Sequence, residues 1–223
     1  MKKSIVIIIA MYFGAVSLHA QTSSSTVATN SKYVATMEKN IQILDTASTP
    51  ETYISLANTF ERIGNAESNQ WQPFYYAAYC YTILAYMTPD KSKVDGVADR
   101  GDAFLKQASA ISSSNSEIAV LSAMLTYCRL QVDPVNRWQT MGVEGAGYLA
   151  KAKELDPSNP RPYLIEARVK LNTPENMGGG PKIAAPVAGV AIQKFNAFVP
   201  ANSIAPHWGK SSAEKLAAKL NGQ

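Results

Sequence analysis

The sequence predicts an all-α fold made of repeated helix pairs, and three observations carry that prediction. Residues 101–125 match residues 145–169 without a gap, at an offset of 44 residues. Apolar residues recur at three- and four-residue spacing along most of the chain, as they do on one face of an α-helix. No segment shows sustained strand-like alternation bounded by turns. A fixed period of this length is typical of stacked helical units.

Small residues match small residues in the two copies of the repeat. The pairs are Gly101 with Gly145, Ala108 with Ala152, and Ala123 with Ala167. A residue with little or no side chain lets two helix backbones approach closely, while larger neighbours fill the grooves beside the contact. One helix pair cannot bury its apolar face alone, so we expect neighbouring pairs to stack.

Local signals indicate the first two helices. In residues 32–47 the apolar positions have helical spacing. They are Met37, Ile41 and Leu44. A second helix is expected over residues 50–63, because Thr49 can cap its start and proline suits its first turn. Gly64 is a typical residue at which such a helix ends.

The next three helices follow with equally local signals. The third carries residues 75–87, including five tyrosines, and ends before Pro89. The fourth covers residues 91–111. Asn115 caps the fifth, which ends near Pro134 because proline cannot continue a helix.

Four further helices complete the chain. The sixth ends at Leu155, and the seventh covers residues 160–173. The eighth runs over residues 181–198, although it contains a proline and a glycine in its first half. A short ninth helix is expected over residues 212–220. Prolines and glycines separate these segments, as they do between helices of a bundle.

The chain is expected to begin with an export signal. Two lysines, a short apolar run and a small-residue cleavage site over residues 1–20 form the pattern of a signal peptide. A membrane anchor is the alternative, but the apolar run is too short to span a bilayer. Residues 21–31 are rich in Ser and Thr and read as a flexible leader. Residues 32–223 then form one domain, which is periplasmic or secreted.

Charge and cysteine usage limit the possible partners. Loss of the two lysines of the signal would lower the net charge from +4 to +2, which does not favour a nucleic-acid partner. No stable membrane span is expected after the signal is removed. Cys80 and Cys128 lie in apolar helical stretches. Export allows them to form a disulfide, and burial as two free thiols is the alternative.

The repeat pattern resembles a known family. In residues 145–171 an apolar–Asp–Pro turn separates two sets of small and large marker residues. These markers are Gly145, Leu149, Ala152, Tyr163 and Ala167. The pattern resembles tetratricopeptide repeats (TPR). The step of eleven residues between successive helix pairs occurs three times, starting at Ile63, Ala108 and Ala152. The connection inside each pair is longer, so the period is 44 residues instead of the family's 34.

The resemblance implies about four antiparallel helix pairs in a superhelical stack, with a C-terminal capping helix. In this respect the chain resembles exported TPR-like proteins of Gram-negative bacteria. The resemblance therefore implies a non-catalytic protein that binds a protein or peptide in the groove of its A helices. The residues that it places in this groove are Gln72, Tyr75, Tyr79, Thr82, Glu117, Val120, Met124, Tyr127, Arg161, Leu164 and Arg168. Such a surface would be aromatic at one end and cationic at the other.

Other interpretations remain open at this point. The tyrosines of the third helix could instead pack in the core. The domain could assemble with itself or within a larger envelope complex. A third alternative is a small-ligand carrier or an enzyme with a pocket near His207, Trp208 and the glycines at 178–180.

Signals for catalysis are poor. His207 would be the one histidine of the exported chain, and no Cys, Asp or Glu lies near it at metal-ligand spacing. The glycines at 178–180 lack the preceding strand and the Gly-Lys-Ser/Thr ending of a phosphate loop. The acidic residues are scattered. The sequence therefore predicts no catalytic residue, no cofactor and no metal site.

Overall fold

A computed structural model describes residues 31–222, and within that range the chain consists of helices joined by turns and, before the last helix, by a longer segment at residues 198–209. The prediction of an all-α fold is confirmed. The α-helices are α1 (Ser31–Asp45), α2 (Pro50–Ala66), α3 (Gln72–Met87), α4 (Lys91–Ile111), α5 (Ser116–Leu130), α6 (Pro134–Arg137), α7 (Val143–Leu155), α8 (Arg161–Asn172), α9 (Pro181–Ala197) and α10 (Lys210–Asn221). A π-helix, Trp138–Gly142, joins α6 to α7, and a 3-10 helix, Glu175–Met177, follows α8.

The predicted signal peptide, residues 1–20, lies outside the described residues. So does the predicted leader, residues 21–31, except for its last residue. In the part of the chain that the structure describes, no helix is long and apolar enough to cross a membrane.

Side-chain caps place several helix starts where the sequence predicts them. Thr49 Oγ1 accepts a hydrogen bond from a backbone N–H of the first turn of α2 at 3.3 Å. Asp90 Oδ1 accepts one at the start of α4 at 3.1 Å, and Asn115 Oδ1 accepts one at the start of α5 at 2.9 Å. These bonds satisfy backbone donors that have no partner inside the helix.

Two helices differ from the prediction for physical reasons. α2 continues past Gly64 to Ala66. A Cβ atom at Gly64 would lie 2.7 Å from the ring of Phe74, so this glycine permits close packing and does not end the helix. The predicted sixth helix is interrupted by the π-helix Trp138–Gly142. A π-helix differs from an α-helix in its backbone hydrogen bonds, and no cap or proline in the sequence marks it.

The helices pack as a row of three with further helices against it. Within the row, α3 contacts α5 and α5 contacts α8. The helices α2, α4, α7 and α9 each pack against members of this row, and α10 packs on α9. The main core lies between these helices, and it includes the tyrosine-rich α3.

The two glycines of the internal repeat both lie where a helix crosses α5. A Cβ atom at Gly101 of α4 would lie 3.0 Å from the side chain of Leu125. One at Gly145 of α7 would lie 2.6 Å from the ring of Tyr127. The small residues of the repeat therefore let α4 and α7 approach α5 closely.

The two cysteines are buried free thiols. Cys128 Sγ lies 4.0 Å from the carbonyl oxygen of Thr82, to which it donates a weak hydrogen bond. Burial raises the pKa of the Cys128 thiol to about 12 and raises that of Cys80 as well. The sequence leaves two alternatives open, a disulfide and two buried free thiols, and the structure has the two buried free thiols.

Residues 198–209 lie over the N-terminal half of α3. The Tyr76 hydroxyl donates a hydrogen bond to the carbonyl oxygen of Ile204 at 3.1 Å. Trp208 Nε1 donates one to the Tyr75 hydroxyl at 2.8 Å. This segment therefore covers the part of α3 that the sequence predicts to be an open surface.

Candidate functional site

A cleft with two connected lobes lies beside the row of α3, α5 and α8. The inner lobe has a volume of about 380 Å³ and lies between these three helices. The outer lobe has a volume of about 750 Å³ and extends to α6, the π-helix and α7. Tyr127, Leu130 and Val169 line both lobes. Each volume is in the range of pockets that hold small molecules and cofactors.

The inner lobe has apolar walls and one cationic residue. Ile83 of α3, Met124 of α5 and Ile165 of α8 form its walls. The hydroxyl of Tyr86 donates a hydrogen bond to the carbonyl oxygen of Met124 at 3.1 Å, which leaves the aromatic ring to line the lobe. Arg168 of α8 also lines it, and desolvation by burial lowers the pKa of this guanidinium.

The outer lobe is apolar inside and open to solvent at its rim. Trp138 of the π-helix is 45% exposed and Met177 of the 3-10 helix is 49% exposed. Leu149 of α7 is buried at its base. An ion pair between Lys153 Nζ and Glu166 Oε2, 2.6 Å apart, lies among the lining residues. The lobe thus combines an apolar interior with a few charged groups.

Tyr127 separates the two lobes and depends on a glycine for its position. Its ring packs directly against the backbone of α7 at Gly145. Tyr127 is buried, and this burial raises the pKa of its phenol to about 12. The phenol is therefore neutral near neutral pH.

The chemistry of the cleft favours binding of an apolar molecule. Its walls are mostly aliphatic and aromatic, so a ligand would be held mainly by burial of its apolar surface. Neither histidine nor cysteine lines either lobe. Over residues 31–222, no group of three or more His, Cys, Asp or Glu side chains is placed to hold a metal ion.

The structure brings three of the eleven predicted groove residues to this cleft. Met124, Tyr127 and Arg168 line the inner lobe. Five others are fully buried and cannot contact a peptide. They are Tyr75, Thr82, Val120, Arg161 and Leu164. The predicted aromatic and cationic surface is therefore wrong at these positions, because neighbouring segments cover them.

Arg161 and Glu117 form the centre of a buried polar network. Arg161 Nη1 donates to Glu117 Oε1 at 2.9 Å, and Arg161 Nη2 donates to the carbonyl oxygen of Pro206 at 2.7 Å. The Tyr75 hydroxyl donates to Glu117 Oε2 at 3.1 Å. Asn159 Nδ2 donates to Glu117 Oε1 at 2.8 Å. The guanidinium also lies between the aromatic rings of the C-terminal segment, Phe198 and Trp208.

This network joins α3, α5 and α8 to residues 198–209. Desolvation by burial raises the pKa of Glu117, and the charge of Arg161 opposes that shift. A buried charge is costly unless it is paired and hydrogen-bonded, and here both charges are. The residues predicted to bind a partner thus hold the C-terminal segment to the helix row.

The remaining predicted residues lie at the edge of the same segment. Tyr79 is half-buried, with its ring centroid 5.2 Å from that of Trp208. Gln72 is buried.

His207 Nε2 lies 3.1 Å from both carboxylate oxygens of Asp45 in α1. A smaller cavity of about 340 Å³ lies beside His207 and Trp208, where the sequence suggests an alternative pocket.

Sequence reasoning missed most of the residues that line the cleft. On α3 these are Ile83 and Tyr86, which follow Tyr79 by four and seven residues and so share its helix face. The helical spacing from Tyr79 is thus a sequence signal by which Ile83 and Tyr86 could have been predicted. Trp138 and Met177 lie on the π-helix and the 3-10 helix, for which the sequence has no equivalent signal.

The fold and the cleft together define a helical protein suited to carry a small molecule. Among solved structures, the chain is similar to the HusA haemophore from Porphyromonas gingivalis, with 35% sequence identity and a TM-score of 0.78. The match covers 85% of this chain and 93% of that chain. The chain belongs to the family of this haemophore. No protein-family model and no curated protein matches it.

This relationship corrects the predicted function. A haemophore is a carrier of a small ligand, so the prediction of a protein or peptide ligand is wrong. The alternative of a small-ligand carrier, which the sequence favours least, is better supported. The relative is a carrier and not an enzyme. The likeness to TPR proteins stays a prediction, since a helical relative does not test it.

Proposed function

We propose that this protein is a haemophore and that it binds haem in the two-lobed cleft. The observation that carries the proposal is an open apolar lobe of about 750 Å³ in a chain 35% identical to a haemophore. The outer lobe is the larger of the two and opens at its rim. It would hold the macrocycle.

The side chains of the outer lobe suit a flat, apolar ring. Trp138 and Tyr127 supply aromatic faces, and Leu149 and Val169 supply aliphatic contacts. Aromatic rings pack favourably in offset or edge-to-face arrangements. Burial of apolar surface stabilises a complex by about 25 cal/mol for each Å² removed from water. A macrocycle with two large faces gains more from such walls than a compact ligand does.

Few groups in the cleft could bind the iron of haem. Haem proteins use histidine, cysteine, methionine or tyrosine as axial ligands. The outer lobe offers the thioether of Met177 and the phenol of Tyr127, and the inner lobe adds Met124 and Tyr86. Burial raises the pKa of the Tyr127 phenol to about 12, which opposes the loss of a proton that a tyrosinate ligand requires. The proposal therefore rests on burial of the ring more than on iron ligation.

The proposed role fits a protein that acts outside the cytoplasm. The sequence predicts a signal peptide, which would direct the chain out of the cytoplasm. We therefore place the protein in the periplasm or outside the cell. It would act as a non-catalytic carrier.

The test is a titration of the protein with iron(III) protoporphyrin IX, followed by visible absorbance. Val169→Glu would replace an apolar side chain that lines both lobes with a carboxylate, which removes an apolar contact and repels the acidic groups of haem. We expect the variant to bind haem at least about tenfold more weakly than the original chain.

The matched control is Ile54→Glu, at a position on α2 that is 45% exposed and lies outside both lobes. This variant should bind haem as the original chain does. Absence of saturable binding by the original chain would exclude the proposed function. Loss of binding in His207→Ala with full binding in Val169→Glu would place haem in the cavity beside Trp208 instead.

A further inference from the structure

Arg168 differs from the other arginines of the described chain in having no partner. Across residues 31–222, four arginines donate hydrogen bonds to other side chains through their guanidinium groups. They are Arg62, Arg129, Arg137 and Arg161. A fifth, Arg100, lies over the ring of Tyr81. In the same range Arg168 makes no hydrogen bond and no ion pair. Its charge is therefore left uncompensated.

The surroundings of Arg168 make an unpaired charge costly. The inner lobe around it is walled by Ile83, Met124 and Ile165. The nearby hydroxyl of Tyr86 already donates to the carbonyl oxygen of Met124. Arg168 is half-buried, so water stabilises its charge only in part, and a guanidinium without a counter-ion is unfavourable there. A ligand that brings an anionic group into this lobe would remove part of that cost.

The chemistry of the missing partner follows from the guanidinium group. Its planar fork presents parallel N–H donors that match the two oxygens of a carboxylate. The lobe of about 380 Å³ has room for a short carboxylate-bearing chain. Haem carries such chains, its two propionates, at one edge of the ring.

We propose that Arg168 binds a carboxylate of the ligand and that the inner lobe is the subsite for this carboxylate. This inference rests on the proposed function, because it assumes that the macrocycle lies in the outer lobe. The two lobes meet at Tyr127 and Val169, so a chain at the edge of the ring can pass from one lobe into the other. The subsite would fix the orientation of the ring and select ligands that carry a free acid.

Two lysines also line the cleft, and both are weaker partners for a carboxylate. Lys153 already pairs with Glu166 at 2.6 Å. Lys170 is half-buried, as Arg168 is, but it lines the outer lobe and not the inner one. Its ammonium also lacks the planar fork by which a guanidinium matches a carboxylate. Lys170 therefore provides the matched control, since it is a cation on the same helix.

The experiment compares two ligands and four proteins. The ligands are iron(III) protoporphyrin IX and its dimethyl ester, which has the same ring without the two charges. The proteins are the original chain, Arg168→Leu, Arg168→Lys and Lys170→Leu. We expect the original chain to prefer the free acid by about ten- to a hundredfold, the range for a hydrogen bond to a charged group.

The preference should disappear in Arg168→Leu, should return in part in Arg168→Lys, and should persist in Lys170→Leu. The ester should bind Arg168→Leu at least as well as the original chain, which also shows that the variant is folded. Equal preference for the free acid in the original chain and Arg168→Leu would overturn the inference. So would loss of the preference in Lys170→Leu alone. Absence of haem binding by the original chain would refute the proposed function instead.

Discussion

Glu117 and Arg161 show how burial changes the meaning of a charged residue. Their ion pair is 2.9 Å long, and the Arg161 side chain is fully buried. Each charge depends on the other, because the interior offers little solvent to stabilise either alone. The pair is thus a structural link between α5, α8 and the C-terminal segment.

We expect Glu117→Gln to destabilise the fold by about 3 kcal/mol, because it leaves the Arg161 charge buried without a counter-ion. Urea unfolding followed by circular dichroism measures the free energy of unfolding. The control is Glu154→Gln, which removes an exposed ion pair with Lys151 at 3.2 Å. Exposed pairs contribute at most about 1 kcal/mol. An equal loss in the two variants would contradict a structural role for the buried pair.

Single residues could be predicted from the sequence where their role is local. Thr49 and Asn115 cap helices as expected, because a cap needs only the next few residues. Arg161 could not be placed correctly. Its position depends on Pro206 and Trp208, which lie about 45 residues further along the chain. The sequence contains no pattern that brings those residues to α8.

At the scale of elements, the crossing of α7 with α5 decides the shape of the cleft. Gly145→Ala would put a Cβ atom 2.6 Å from the ring of Tyr127, so the ring would have to shift. We expect a loss of about 1–3 kcal/mol in the free energy of unfolding, as for other overpacked sites. Haem binding should weaken too, because Tyr127 lines both lobes.

Gly147 supplies the matched control on the same helix. A Cβ atom there would have no neighbour within 4 Å. Gly147→Ala should therefore stabilise the protein by up to about 1 kcal/mol, since alanine favours a helix over glycine. Urea unfolding and haem titration of both variants make the comparison. Equal effects at the two positions would show that the crossing at Gly145 is not tight.

The order of the elements was predictable to a large extent, and their turns were less so. Helix starts and prolines are local signals, so the helices occur near the predicted places. The sequence alone does not distinguish a glycine that ends a helix from one that permits close packing, and Gly64 could have had either role. The structure shows the second role, because Phe74 packs against it. The π-helix Trp138–Gly142 and the path of residues 198–209 have no local signal.

At the scale of the whole molecule, the tyrosines explain why the predicted groove and the actual cleft differ. The N-terminal half of α3 is part of the core, and its C-terminal half lines the inner lobe. The periodicity of α3 identifies a face of the helix and cannot tell which half is covered. The class of ligand proposed here comes from the family relationship, because no motif in the sequence indicates it.

The same burial of tyrosines predicts how the stability of the molecule depends on pH. Burial raises the pKa of the Tyr127 phenol to about 12 and raises those of Tyr33, Tyr75, Tyr76 and Tyr79 as well. In the unfolded chain a phenol loses its proton near pH 10. Above about pH 10 the unfolded state therefore binds fewer protons than the folded state, and the free energy of unfolding falls as pH rises.

Each such tyrosine should lower the free energy of unfolding by about 1.4 kcal/mol per pH unit above about pH 10, until the pH reaches its folded-state pKa. Below about pH 10 these groups should leave stability unchanged. Urea unfolding at about pH 8, 10 and 11 measures the slope, and ultraviolet absorbance of the ionised phenol reports the titration. Tyr127→Phe should make the fall in the free energy of unfolding with pH less steep, by the contribution of one tyrosine. Equal stability at pH 8 and 11 would contradict the burial of these phenols, because their protons would then be bound equally in the two states.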